Sequence, residues 1–402
     1  MAEMVYSKRF EAGEVIFRSG DDARDAYIIE SGKVAVSDSV DGKNIQIAEL
    51  GAGEIFGEMS MIDDAPRSAT VTAIEATEVI VIQRSRFQQP IVTADPLMNL
   101  LLRVVLNRFR DTQRQYSGRK DTLVEGDQSL EEIRELALNR IKFEQDMRRG
   151  LEASEFELHY QPIIDLQAGH ISGFEALIRW RKRDGEFIMP MEFISLAEKT
   201  GLIIELGRMA LEQATEHQHR FASHFHAAFP DMPPAFMSVN ISGLQLSEMD
   251  EIDHIAGIIK NSGVDPNILK LEITETLLVE DPEHATTALE KLKGLGVSIA
   301  IDDFGTGYSS LSYLHQFPLD TLKIDRAFVN NMDKSESSRL IVNSVAQLAL
   351  ALKMDIVAEG IEEKSQMDAL RSLGCQYGQG YFIGKPASFE QTIELINSRP
   401  GW

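Results

Sequence analysis

Short apolar segments that alternate with polar positions follow one another between residues 10 and 83. The clearest lie at 26–30, 33–36 and 45–50, and turn sequences such as Ser31-Gly32 separate them. Alternation with a period of two indicates β-strands, and many short strands with glycine-containing turns are typical of an all-β barrel or jelly roll. The apolar stretch at 96–109 has helical spacing and predicts a helical lid. We assign residues 1–118 to this first domain.

A polar segment with a glycine at position 126 follows the first domain. The sequence from Ser129 to Glu132 has the Ser-x-x-Glu pattern that caps helix N-termini, and the apolar residues after it follow helical spacing. We therefore expect a linker with a connector helix at 119–139. The pattern is too short to indicate a coiled coil, so docking on its own domain and pairing with a second copy both remain open.

Strand and helix patterns alternate from residue 140 to residue 402, which we assign to a second domain. Alternating strands and helices over about 260 residues predict an α/β fold of the (β/α)8, or TIM-like, barrel type. Amphipathic helical stretches, for example at 193–215 and 337–352, lie between the strands. The candidate strands are at 157–164, 173–178, 236–241, 269–273, 297–302, 321–325, 355–359 and 376–382.

Nearly every candidate strand of the second domain carries a polar residue close to its C-terminal end. The carboxyl ends of parallel strands meet on one face of a barrel, so these side chains are expected to converge there. Carboxylates with an amide, and without histidine or cysteine, suit hard divalent cations rather than zinc. The polar residues are Glu175, Asn240, Glu272, Asp302, Asp303, Lys323, Glu359 and Gln379.

The pair Asp302-Asp303 directly follows an apolar strand pattern and precedes Gly305 and Gly307. Adjacent carboxylates that face different ions suggest a two-metal site of the kind that hydrolyses phosphodiesters. A strand-end turn with solvated carboxylates is the alternative for this pair taken alone. Lys323 either orients the attacking water or forms a salt bridge to a ligand carboxylate, and the sequence leaves both open.

Charge and cysteine content narrow the range of partners. The chain has 402 residues and a formal net charge of -23, which argues against binding to nucleic-acid polymers because these require a basic surface. The single cysteine, Cys375, permits no intrachain disulfide and fits a reducing compartment. We find no signal-peptide pattern and no apolar run that approaches a membrane span of about 18 residues. We therefore expect a cytoplasmic protein.

The first domain contains a glycine-led loop followed by an arginine. Loop N–H groups can bind an anion, Arg67 can donate two hydrogen bonds to a phosphate, and Glu58 can accept one from a sugar hydroxyl. An exposed Glu–Arg pair on a polar hairpin is the alternative. The loop and the arginine lie in the segments Phe56-Gly57-Glu58-Met59 and Pro66-Arg67-Ser68-Ala69-Thr70.

These segments resemble the phosphate-binding cassette of the cyclic nucleotide-binding domain family, over about residues 7–118. The resemblance implies that Glu58 binds the ribose 2′-hydroxyl and that Arg67 and Ser68 bind the cyclic phosphate of cAMP or cGMP. Serine after the arginine favours cAMP. Gly57 and Met59 complete the implied binding segment.

The second domain resembles the EAL domain of cyclic di-GMP phosphodiesterases. The resemblance implies a barrel with an antiparallel first strand, two Mg2+ or Mn2+ ions, and hydrolysis of cyclic di-GMP to linear pGpG. The motifs that carry it, in order, are Gln161-Pro162, Glu175-Ala176-Leu177, Arg179-Trp180, Asn240-Ile241-Ser242, Glu272-Ile273-Thr274-Glu275, Asp302-Asp303-Phe304-Gly305-Thr306-Gly307, Lys323-Ile324-Asp325, Ala358-Glu359-Gly360 and Gln379-Gly380.

The resemblance also assigns a role to each motif residue. It implies that Lys323, Glu175 and Asp302 are catalytic, and that Glu275 stabilises the loop at 302–310, which in this family is linked to dimerisation. We therefore expect a homodimer. The implied metal ligands are Glu175, Asn240, Glu272, Asp302, Asp303 and Glu359, and the implied substrate-binding residues are Gln161, Leu177, Arg179 and Gln379.

Two functional hypotheses follow. The first is a cyclic di-GMP phosphodiesterase that is regulated allosterically by a cyclic mononucleotide bound to the first domain. The second is a catalytically inactive receptor for cyclic di-GMP that acts through a partner protein. The presence of every carboxylate of the motif set favours the enzyme.

Overall fold

The computed structural model describes residues 5–22, 25–40, 43–62, 66–83, 98, 100–106, 108, 128–275, 281–305, 314 and 316–402. The chain separates into two units, residues 1–143 and 144–402. The domain limits predicted at residues 118 and 140 stay predictions, and residue 118 lies in the segment 109–127, outside the described part. None of the helices in that part is both long enough and apolar enough to cross a membrane.

The first unit contains two antiparallel four-stranded sheets, with the orders β1-β8-β3-β6 and β2-β7-β4-β5. Side chains from both sheets, among them Tyr27, Phe56 and Val71, form one buried core, which confirms the predicted all-β jelly-roll fold. The strands are β1 (Val5–Phe10), β2 (Val15–Phe17), β3 (Asp25–Ser31), β4 (Val34–Val40), β5 (Lys43–Leu50), β6 (Ile55–Phe56), β7 (Thr70–Ala73) and β8 (Thr77–Gln83).

Helices of this region are described only in part. A four-residue helix, α1 (Met59–Ile62), follows β6. Within the predicted lid, residues 98, 100–106 and 108 are helical, and the rest of that prediction falls outside the described residues. The connector helix α2 (Gln128–Glu152) begins one residue before the predicted cap and extends well past the predicted end at residue 139.

The second unit is a closed barrel of eight strands with one added hairpin strand. Its sheet has the order β11-β10-β12-β13-β14-β15-β16-β17-β9, and β9 closes the circle by pairing with β10. Strand β9 is antiparallel to both neighbours, whereas the pairs from β10–β12 to β16–β17 are parallel. The predicted barrel with an antiparallel first strand is therefore confirmed. The strands are β9 (Phe156–Asp165), β10 (His170–Arg181), β11 (Phe187–Ile188), β12 (Phe236–Asn240), β13 (Leu269–Thr274), β14 (Ser298–Phe304), β15 (Thr321–Ile324), β16 (Asp355–Ala358) and β17 (Tyr377–Gln379).

The helical stretch predicted at 193–215 is present and is divided into two helices. Gly201 adopts a left-handed conformation, with φ 79°, and ends the first of them. Glycine takes this conformation without the steric cost that a side chain would add. The helices of the second unit are α3 (Pro190–Thr200), α4 (Leu202–Ala228), α5 (Gly243–Ser247), α6 (Met249–Ser262), α7 (Pro282–Lys293), α8 (Arg326–Val329), α9 (Glu336–Ala351), α10 (Lys364–Ser372) and α11 (Phe389–Ser398).

Both faces of the barrel strands are covered, which explains their nearly continuous apolar sequence. In β14, Ile299, Ala300 and Ile301 are each at most 1% exposed. One face packs against the outer helices and the other faces the barrel interior. Polar side chains that face inward near the carboxyl ends therefore have one place to meet, which is the mouth of the barrel.

Candidate active site

A single ammonium group lies at the centre of the barrel mouth. Lys323, near the end of β15, is 0% exposed. Its Nζ lies 2.6 Å from Glu272, 2.7 Å from Glu359, 3.2 Å from Asp302 and 3.6 Å from Glu175. Three strands and the residue directly after a fourth, Glu359 after β16, thus supply carboxylates to one cation, and the predicted convergence at this face is present.

Burial and charge both shift the pKa values of the residues in this cluster, and the balance between the two differs from residue to residue. Burial would lower the pKa of Lys323, but the four carboxylates outweigh it and raise that pKa well above its ordinary value. Burial raises the pKa of Glu272 to about 8 and also raises that of Glu359, although Lys323 opposes both shifts. With four carboxylates around one ammonium, Glu272 and Glu359 thus favour the protonated form when no divalent cation is bound.

Glu175 on β10 differs from the other carboxylates because amide groups surround it. Asn240 Nδ2 donates to one carboxylate oxygen at 3.0 Å, and Gln379 Nε2 donates to the other at 2.5 Å. Burial alone would raise the pKa of Glu175, but Lys323 and these two hydrogen bonds lower it below its ordinary range. Gln379 also donates to Gln161 Oε1 at 3.0 Å, which connects the residues predicted to bind substrate with those predicted to bind metal.

Asp302 and Asp303 end β14 in an unusual conformation. Asp303 has φ 54°, which is rare for a residue other than glycine, and its N–H donates to Asp302 Oδ1 at 2.9 Å. Partial burial, the Asp302 charge and Asp325 raise the pKa of Asp303 to about 6. The carboxylates of both residues nevertheless lie close enough to that of Glu359 for one oxygen of each to fall within 4.8 Å of the others.

Glu275 contacts the start of the loop that it is predicted to stabilise. Its carboxylate accepts a hydrogen bond from the N–H of Gly305 at 3.1 Å. The remainder of the loop, from residue 306 to residue 310, lies outside the described residues, so its predicted role in dimerisation stays a prediction.

The cluster opens into a cavity of about 610 Å³. The predicted residues Gln161, Leu177, Arg179 and Gln379 line it. Sequence reasoning missed further lining residues, namely Arg326, Asn330, Glu362 and Tyr381. Tyr381 and Arg326 could have been found because they directly follow the motifs Gln379-Gly380 and Lys323-Ile324-Asp325. The other two belong to no pattern that marks a site.

The donor set fits hard divalent cations. Glu175, Glu272 and Asp302 can bring one oxygen each within 4.8 Å of one another, and so can Asp302, Asp303 and Glu359. Asp302 belongs to both groups and could therefore bridge two ions. Oxygen donors with an excess of negative charge are the ligands that Mg2+ and Mn2+ prefer. Asn240 would complete the set through its amide oxygen.

A second candidate site lies in the first unit, around Arg67. The side chain is 4% exposed and its guanidinium stacks 4.2 Å from the Phe17 ring centroid. It donates to the carbonyl oxygens of Gly57 and Asp25, while Nε has no hydrogen-bond partner among the residues that the structure describes. Gly57, with φ 78°, leaves room for the guanidinium, because a Cβ there would lie 2.6 Å from Nη1.

The other residues of the predicted cassette surround Arg67 in sequence and structure. Glu58 and Ser68 are half-buried. Met59 begins α1, which directly follows the glycine turn. The two sites together define a class of protein, in which an all-β domain with an arginine-containing anion loop precedes an α/β barrel with a carboxylate-lined mouth.

Two family models match the chain. The EAL domain matches residues 144–386 and the cyclic nucleotide-binding domain matches residues 7–93. The chain therefore belongs to the EAL domain family and carries an N-terminal cyclic nucleotide-binding domain.

Among solved structures, the EAL enzyme Bd1971 in its cAMP-bound form is 33% identical, with a TM-score of 0.71, and the match covers 97% of this chain and 100% of that one. The same enzyme with cAMP and cyclic di-GMP bound is 34% identical, with a TM-score of 0.72 and the same coverage. Its cGMP-bound form matches equally well, with a TM-score of 0.72.

Two curated relatives each match 65% of the chain. The bifunctional diguanylate cyclase/cyclic di-GMP phosphodiesterase MucR of Pseudomonas aeruginosa is 37% identical over 260 residues, which are 65% of this chain and 37% of that protein. The cyclic di-GMP phosphodiesterase NbdA of the same organism is 35% identical over 262 residues, or 65% of this chain and 33% of that protein. The chain thus spans about a third of the length of these relatives.

Proposed function

We propose that the protein is a cyclic di-GMP phosphodiesterase that hydrolyses its substrate to linear pGpG with two Mg2+ or Mn2+ ions. The observation that carries this proposal is the cluster of carboxylates around Lys323, which opens into a cavity large enough for a dinucleotide. MucR and NbdA, whose names include this activity, support it.

The residues at the barrel mouth would have different roles in this reaction, according to their positions. Glu175, Asn240, Glu272, Asp302, Asp303 and Glu359 would hold the ions. Such ions polarise a phosphodiester and lower the pKa of water. Gln379 orients Glu175 and also donates to Gln161, and both glutamines would present amide groups to the substrate from the cavity wall. Leu177 and Arg179 line the cavity, where the guanidinium can bind a phosphate oxygen.

The sequence left two roles open for Lys323, a salt bridge to a ligand carboxylate and orientation of the attacking water, and this scheme includes both. As an ammonium it pairs with four carboxylates, so it keeps the cluster intact. The same group is a donor that can orient water at the reacting phosphate. The four carboxylates raise its pKa, which favours the protonated form and hence a donor rather than a general base.

The test is turnover of cyclic di-GMP to pGpG with Mg2+ or Mn2+, compared between the wild type and Glu175→Ala. We expect turnover that EDTA abolishes, and a loss of at least about 100-fold in Glu175→Ala. Glu290→Ala removes an exposed carboxylate from α7 and serves as the matched control. Binding of cyclic di-GMP without turnover under any of these conditions would contradict the enzyme and favour the receptor hypothesis.

We further propose that cAMP or cGMP binds at Gly57, Glu58, Met59, Arg67 and Ser68 and regulates turnover. The buried guanidinium of Arg67 donates to two neutral backbone carbonyl oxygens. A phosphate is a stronger acceptor and could replace them, which supports an anion site here. Bd1971, which has been solved with both nucleotides, supports the ligand class. Coupling of this kind is typically worth about 1–3 kcal/mol, or roughly 5–150-fold.

Regulation is tested by measuring turnover against a titration of each nucleotide. We expect Arg67→Ala to abolish both nucleotide binding and the effect on turnover, whereas Arg9→Ala, on the exposed part of β1, leaves both unchanged. An effect of cAMP on turnover that survives in an Arg67→Ala protein without nucleotide binding would refute this mechanism.

A further inference from the structure

A second buried lysine lies in the barrel interior, below the carboxylate cluster. Lys270 on β13 is 6% exposed, and its Nζ donates to Thr321 Oγ1 on β15 at 2.8 Å. The ammonium lies 4.5 Å from the Phe236 ring centroid and 5.6 Å from that of Tyr377. No carboxylate among the described residues forms an ion pair with it.

The position of Lys270 relative to the cluster follows from strand geometry. Residues two apart on a strand share a face, so Lys270 points the same way as Glu272, and Thr321 the same way as Lys323. Both pairs therefore bridge β13 and β15 across the small side chain of Ala300 on β14. The Lys270–Thr321 pair is the lower of the two bridges, about 6.6 Å along the strands from the Glu272–Lys323 pair.

An ammonium without a paired carboxylate is costly to bury, so something in the surroundings must offset the cost. The two aromatic faces favour the charged form locally. Of the carboxylates, Asp355 contributes most in the same direction, and Glu272, in the cluster one layer above, contributes next. Burial lowers the pKa of Lys270, whereas Asp355 and Glu272 act in the opposite direction.

We propose that Lys270 is a positioning residue that offsets the charge of the carboxylate cluster from below and so limits its affinity for divalent cations. The inference rests on the proposed metal site. Lys270 is not among the residues that line the cavity, and its charge acts on the site across the layer of Glu272 and Lys323. A cation fixed below the site repels every ion that enters from the mouth, and the barrel interior screens this repulsion weakly.

The experiment measures Mn2+ binding by calorimetry in the full chain at neutral pH. Lys270→Met removes the charge and retains the length of the side chain, and we expect it to bind Mn2+ about tenfold more tightly than the wild type. Lys270→Arg keeps the charge, and its affinity should stay within about twofold of the wild type. The matched control is Ser238→Ala, because Ser238 is 0% exposed, lies at the register position of Lys270 and has a hydroxyl without a partner among the described residues.

The outcomes separate this inference from the proposed function. A wild-type protein that binds no Mn2+ overturns the proposed metal site. A wild type that binds Mn2+, with Lys270→Met equal or weaker in affinity, overturns the role of Lys270 alone. Lys270→Gln is the second variant, since its amide can still hydrogen bond to Thr321. If both neutral variants fail to fold even with Mn2+, the lysine is a structural requirement and the inference is wrong.

Discussion

Replacement of Lys323 by methionine should destabilise the protein in a way that depends on divalent ions. Its Nζ contacts carboxylates at 2.6, 2.7, 3.2 and 3.6 Å. At an effective dielectric constant near 20, a pair of unit charges about 3 Å apart attracts by roughly 5–6 kcal/mol. Most of this gross attraction is cancelled by the cost of burying the charges, and removal of one partner from a buried pair costs about 3–5 kcal/mol.

The assay is urea unfolding in EDTA and again in Mn2+, with the exposed Lys334→Met as the control. In EDTA we expect Lys323→Met to lose about 3–5 kcal/mol of unfolding free energy relative to the wild type, because the carboxylates then repel one another without compensation. In Mn2+ the deficit should shrink, since bound ions neutralise the same carboxylates. A deficit of equal size in both buffers, or one no larger than in the control, would refute this account of the cluster.

Three further predictions concern the barrel. Gly207→Ala would place a Cβ against the buried carboxamide of Gln245, and the overlap should outweigh the gain of about 1 kcal/mol in helix propensity, with a net loss of about 1–2 kcal/mol in urea unfolding. Burial lowers the pKa of His217, whose Nδ1 lies 2.5 Å from the Tyr160 hydroxyl oxygen. Because the folded pKa is below that of the unfolded chain, this contribution is complete above about pH 6.5 and is lost as the pH falls, so the wild type should lose more stability than His217→Gln between pH 7 and pH 5. Gly380→Ala would place a Cβ onto a neighbouring backbone segment, and we expect reduced soluble yield and a lower Tm, since the backbone cannot move aside as a side chain can.

The strands of the barrel could be predicted because their sequence carries two independent signals. An apolar run such as 297–301 indicates a strand with both faces covered, and a carboxylate at its end marks the mouth of the barrel. These signals are local, so eight strands and the polar residues at their ends were predicted without knowledge of the tertiary structure. The split of the helix at Gly201 was missed because the apolar spacing continues across it, from Leu196 to Leu202.

The details of the site could not be predicted, because they depend on how far each side chain extends once the barrel has closed. Nothing in the sequence places Lys323 among four carboxylates rather than beside one. The alternation of apolar and polar residues around Lys270 is equally typical of a strand with one solvent-exposed face. Only closure of the barrel turns that face toward the interior. Arg326 and Asn330 line the cavity from the segment after β15. The sequence of this segment has no hydrophobic periodicity that would show which way its side chains point.

The reversed direction of β9 determines where the chain enters the barrel. Its first residue, Phe156, pairs with Trp180 at the carboxyl end of β10. The last turn of α2 is adjacent, since a Cβ on Gly150 would fall 2.9 Å from the indole nitrogen of Trp180. In an all-parallel barrel the helix that precedes the first strand would end at the opposite end of the barrel. Here the end of α2 lies at the rim of the mouth, so a displacement of α2 would act beside the strand that carries Glu175 and Arg179.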